Sequence, residues 1–96
     1  MKKEKDQIVH ADTEEGQRVG EGIVEAIENQ IKEKNPLETT LTLERLMGNG
    51  ESRENAMRYI ASAFTIELFE IMKSNKPYNE ERYINNLKAL PRLPDD

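Results

Sequence analysis

The sequence predicts an all-α fold, a small four-helix bundle with a long central third helix. Three observations lead there. Apolar residues recur at three- and four-residue spacings along most of the chain, the period of a helix with one buried face. Residues that cap helix starts (Thr13, Asn35, Ser52 and Asn79) stand in front of those runs. The one alternating stretch, "TTLTL" at 39–43, has no second strand to pair with. The expected division is a flexible N-terminal arm at 1–12, a helical bundle domain at 13–90 and a C-terminal tail at 91–96.

The first helix is expected from Thr13 to about Lys34, with Glu14 and Glu15 in the first turn, where carboxylates suit the helix dipole. Val19, Ile23, Ala26, Ile27 and Ile31 share one face. Gly16 and Gly20 fall on that face and Gly22 does not. Glycine costs about 1 kcal/mol against alanine inside a helix. The expectation is therefore that Gly16 and Gly20 admit a neighbouring helix, with a frayed first turn as the alternative. "GQRVGEG" follows no strand and has neither the dinucleotide nor the phosphate-loop spacing. Gln30 also lies in the apolar arc. Either its head reaches water at the boundary, or it makes a specific polar contact.

"NPLE" at 35–38 predicts a second helix, with Asn35 as cap, Pro36 at the first helical position and Glu38 reaching back. It should run to about Met47, and "GNGES" should end it. The third helix begins at Ser52 and runs to about Ser74. Met57, Ile60, Ala61, Phe64, Leu68, Ile71 and Met72 form its main stripe. Tyr59, Ala63 and Ile66 form a second one. A helix apolar on two sides is buried on two sides, so it is the hub of the bundle or the seam of a dimer. The expectation is a symmetric homodimer with Tyr59, Ala63 and Ile66 as its interaction surface. Glu67 lies at the edge of the main stripe, where it would snorkel to water or carry a raised pKa. Asn79 caps a fourth helix, with Tyr78 and Tyr83 stapled across the cap and Ile84, Leu87 and Leu90 on one face. Pro91 ends it. "PRLP" at 91–94 is explained by helix termination.

Composition narrows the function. Ninety-six residues form one domain, with 35% hydrophobic and 34% charged residues, so the core is modest and self-association would add burial. The net charge is −5, with basic residues scattered among acidic ones, which argues against nucleic acid. No cysteine is present, which excludes thiol chemistry and thiolate metal sites. "MKKEKDQ" precedes no apolar run, and no segment approaches the roughly 20 apolar residues that span a bilayer. A cytoplasmic location without membrane contact is expected. The single histidine, His10, sits in the arm, so the predicted domain has no histidine for a metal site, a triad or a general base. Glu25, Glu28, Glu44, Glu67 and Glu70 are the only metal-capable carboxylates singled out, and they read as solvated. No catalytic residue, metal or cofactor is assigned. The expected function is non-enzymatic, through protein–protein contacts. The alternative is a small-ligand or metal-binding domain with an interhelical polar pocket at Gln30 and Glu67.

"IENQI" at 27–31, the "NP" turn at 35 and "LERLMGNGESRENAMRYI" at 43–60 resemble a family of small bacterial helical proteins of unknown function. Its members read V-E-N-Q, a proline turn, R-L-M-x-x-G, then R-H-E-A-x-H. The resemblance covers roughly residues 23–72. It implies a helical fold and no reaction, and it makes Glu28, Asn29, Gln30, Arg45 and Gly50 the matching positions. Where the pattern has two histidines four apart, this chain has Glu54 and Arg58, a spacing suited to a surface ion pair.

Overall fold

The computed structural model describes residues 14–93, with side-chain surroundings from residue 20 onward. Four α-helices follow one another, α1 (Glu14–Glu33), α2 (Leu37–Gly48), α3 (Arg53–Ser74) and α4 (Glu80–Ala89), and no strand occurs among the described residues. The all-α expectation holds, including the helical assignment of "TTLTL". None of these helices is long and apolar enough to cross a membrane. The arm at 1–12, with His10, the proposed cap Thr13, the surroundings of Gly16 and Pro94 lie outside the described residues.

The helix ends follow local chemistry. Ser52 Oγ accepts from the Asn55 amide at 3.0 Å, and Asn79 Oδ1 accepts from the Arg82 amide at 3.0 Å. Each satisfies one of the donors left unpaired by a first turn. The Tyr78–Tyr83 staple forms, with ring centroids 6.1 Å apart. Gly50, at φ +107, closes α2 with a Schellman motif, in which its amide bonds Met47 O at 3.0 Å and the Glu51 amide bonds Leu46 O at 3.1 Å.

The start of α2 differs from expectation. Pro36 takes the cap position and no side chain caps the helix. Asn35 is occupied in ending α1, where its amide bonds Gln30 O at 3.0 Å and the Lys34 amide bonds Ile31 O at 3.2 Å. This is a second Schellman motif with Lys34 at the left-handed position, φ +55, where glycine usually sits.

The core comprises Ile27, Leu43, Leu46, Ala56, Met57, Ile60, Ala63, Tyr83, Leu87 and Leu90. Both α2 and α3 pack against all three other helices, whereas α1 and α4 do not approach each other's backbones among the described residues. The short second helix is therefore as central as the third. Its central position explains why Thr39 and Thr42 are buried.

Two packing expectations are corrected. Gly20 is exposed, and a Cβ built on it meets nothing within 4 Å; the same is true of Gly22. No helix approaches there, because the core begins one turn later at Ile23 and Ile27. The α3 stripe also does not run its full length. Met57 and Ile60 are buried, but Ile71 and Met72 are exposed, because the last turns of α3 extend beyond the bundle's core cluster.

Two stability gains are expected from these sites. Gly20→Ala should raise stability by about 0.5–1 kcal/mol, since alanine loses less backbone entropy and meets no obstacle. Lys34→Gly should add about 1 kcal/mol by relieving the left-handed residue. Urea unfolding midpoints measure both, and a loss on Gly20→Ala would mean that the site is crowded after all.

Candidate functional site

The polar side chains of the bundle converge around α4. Gln30 projects from the last turns of α1, and its Oε1 accepts hydrogen bonds from Thr39 Oγ1 of α2 and Tyr83 Oη of α4, both at 2.8 Å. Thr39 and Tyr83 are fully buried. Burial pushes the Tyr83 hydroxyl pKa up, so at neutral pH it remains a protonated donor. The ring of Tyr83 also meets Phe64 of α3, with centroids 5.6 Å apart. The head of Gln30 is thus a junction of three helices.

Glu67 is placed differently from either reading of the sequence. It is 1% exposed and does not snorkel. Its carboxylate accepts from Arg82 Nε at 2.6 Å, Arg82 Nη2 at 3.0 Å and the Asn79 backbone amide at 3.0 Å. Burial alone would raise its pKa. The hydrogen bonds from Arg82 and the Asn79 amide, with the guanidinium charge, overcome that and hold the carboxyl below the usual range. Glu67 therefore stays ionised and anchors the start of α4 to α3.

Gln30 and Glu67 do line one groove, as the alternative reading requires. It encloses about 400 Å³ between the end of α1, the turn at Asn35 and Pro36, the α3 residues Phe64, Leu68 and Ile71, and Tyr78 ahead of α4. Its walls are mostly apolar. Both Glu67 oxygens and the Gln30 oxygen are already engaged, which leaves the Gln30 Nε2, Asn35 and the Tyr78 hydroxyl as its polar groups without a partner among the described residues. Among the described residues, no group of three or more metal-capable side chains comes together. Tyr78 faces this groove with its hydroxyl pKa pushed up to about 12, by burial first and then by the charge of Glu80 and the proximity of Tyr83 and Glu67.

The expected interaction surface is only partly on the outside. Ala63 is fully buried in the core, while Tyr59 and Ile66 are half-buried. A helix that packs against three others buries a wide arc, and Ala63 falls within it. The outward face of α3 instead carries Ser62, Ile66, Phe69 and Met72, and Tyr59 at its start is half-buried and packed against the core. Phe69 is 59% exposed and Met72 79% exposed. A smaller cleft of about 270 Å³ opens beside this face at Asn55, Arg58, Tyr59, Ser62 and Leu93.

Three of the positions matched by the resemblance, Glu28, Gln30 and Arg45, join helices. Glu28 makes a bidentate pair with Arg53 at 2.8 and 2.9 Å, joining α1 to the start of α3 and lowering the Glu28 pKa through those hydrogen bonds. Both partners are half exposed, so the pair contributes at most about 1 kcal/mol. Arg45 donates to Leu90 O at 2.6 Å and Leu87 O at 3.0 Å, capping the carbonyl end of α4. Asn29 is exposed. Glu54 and Arg58 pair at 3.1 Å on the helix surface. The capping role of Arg45 had no signal in the sequence, because the carbonyls it meets lie more than forty residues away.

Acid should loosen this arrangement. The folded pKa of Glu67 lies below its unfolded value of about 4.3. Its contribution is therefore present above the unfolded pKa and lost as pH falls through the folded one. Thermal melts should show stability dropping below about pH 4, and Glu67→Gln should flatten that drop. An unchanged acid profile in Glu67→Gln would refute the assignment.

Comparison with family models, curated proteins and solved structures finds no match to this chain.

Proposed function

We propose that the protein acts through protein contacts as a homodimer, without catalysis, and that the outward face of α3 is the seam. The observation that carries this reading is the line Ser62, Ile66, Phe69 and Met72 along α3, which begins at Tyr59, half-buried and packed against the core. The spacing from Tyr59 to Phe69 is three, four and three residues, the repeat by which one helix meets another. Phe69 and Met72 are its most exposed members.

Area supports a weak pairing with a second copy. Large apolar side chains offer roughly 200 Å² each, so the exposed fractions of Phe69 (59%), Met72 (79%) and Leu93 (51%) amount to about 400 Å² per chain. A two-fold seam buries the same patch on both copies. With the half-buried Tyr59 and Ile66 and a polar rim, the total reaches about 1,200 Å², the lower end for specific interfaces. The modest core points the same way, since a chain this short gains from burial supplied by a partner. Relative to the sequence-based surface, Tyr59 and Ile66 stay, Ala63 leaves, and Phe69 and Met72 enter. The structural contacts of Glu28, Gln30 and Arg45 support an architectural role for the positions that resemble the bacterial family.

Sedimentation velocity from micromolar to near-millimolar protein tests the seam. The wild type should shift from monomer to dimer across that range. Phe69→Glu should remain monomeric with its helical circular dichroism intact, because Phe69 contributes little to the core. A wild-type monomer at every concentration, or a dimer that survives Phe69→Glu, would overturn the reading.

A further inference from the structure

The groove beside Gln30 lies on a different side of α3 from the proposed seam. Leu68 and Ile71 are turned about 100° and 160° away from Phe69 around the helix. Its volume of about 400 Å³ is within the range of small-molecule sites. Phe64, Leu68, Ile71, Pro36 and Tyr78 supply apolar walls. Gln30 supplies a polar group whose orientation is held from outside the groove. Its Oε1 is consumed by the hydroxyls of Thr39 and Tyr83, neither of which lines the groove. Those two bonds orient the amide, and its Nε2 has no acceptor among the described residues. Gln30 is half-buried at the groove, and a ligand acceptor there would pair with this donor in place of solvent.

We propose that this groove binds a small uncharged molecule with an apolar body and one carbonyl oxygen, which accepts a hydrogen bond from Gln30 Nε2. Uncharged character follows from the surrounding groups. Glu67 is ionised but spent on Arg82 and Asn79, so it offers no free oxygen to a cation or metal. Among the described residues, no lysine or arginine lines the groove to pair with an anionic ligand. The inference deepens the ligand-pocket alternative for Gln30 and Glu67 and removes Glu67 from ligand contact. It is independent of the seam.

Nile red, neutral and carbonyl-bearing, serves as the probe. Titrated with the full chain, it should bind saturably at one site per chain. Gln30→Glu keeps an oxygen for Thr39 and Tyr83 but loses the donor, and should weaken binding about tenfold, the worth of one hydrogen bond. Leu68→Trp fills the groove and should abolish binding. Phe69→Glu, which breaks the seam, should leave binding unchanged. Circular dichroism melts check that each variant folds, and Leu68→Trp keeps the test decisive if Gln30→Glu is unstable. Non-saturable partitioning, unchanged binding in Leu68→Trp, or unchanged binding in a folded Gln30→Glu would overturn the proposal. Loss of binding in Phe69→Glu would overturn it too, by moving the dye to the seam.

Discussion

The carbonyl oxygen of Gln30, accepting from Thr39 and Tyr83, is the contact on which the bundle's arrangement depends. Among the described residues α1 and α4 do not pack backbone against backbone, yet this oxygen joins them across the end of α2. The two hydroxyls are fully buried and need partners, and one amide oxygen serves both. Such a network favours one arrangement of the helices over others, because any slip leaves a buried hydroxyl unpaired. Apolar contacts alone are less selective, since they tolerate sliding.

The same logic explains how α4 persists. Ten residues are too few for an isolated helix in water. Glu67 holds its start through Asn79 and Arg82, Tyr83 pins its first turns to Gln30, and Arg45 caps its end at Leu87 and Leu90. Leu87 and Leu90 then bury fully. A short helix with few apolar residues is thus stabilised by polar contacts at both of its ends as well as by its buried leucines.

Lengths set the available surfaces. At 22 residues α3 is roughly twice as long as α2 or α4. Its first half supplies the buried Ala56, Met57, Ile60 and Ala63, and its last turns extend beyond the core cluster. One side of those turns walls the groove beside Gln30, and another presents Phe69 and Met72. The most exposed part of each candidate surface, Ile71 in the groove and Phe69 and Met72 on the seam, comes from this mismatch in helix length, and the two remain separate because a helix turns its neighbours to different sides.

Helix identities and ends were largely legible in the residues. Ser52, Asn79 and Gly50 act through bonds that span a few residues, and the Tyr78–Tyr83 staple is equally local. Periodicity likewise placed Met57, Ile60, Leu87 and Leu90 in the core. The cap at Asn35 was misread because one residue ends α1 and precedes α2, and only the backbone path decides between the two roles. Gly20 was misread because an apolar arc shows which face is buried but not where along the helix burial begins. Gln30 and Glu67 could be singled out as polar groups near apolar stripes, and the structure brings both to one groove. Their partners Thr39, Tyr83, Arg82 and Asn79 come from other elements, so which of the two remains able to meet a ligand was not a property of the sequence pattern. The sequence determined the helices, their caps and most of the core, because those depend on interactions between near neighbours. Tertiary structure decided the placement of α2 at the centre, the burial of Ala63 and Glu67, the Arg45 cap and the exposure of Phe69 and Met72, because each depends on where distant helices end in space.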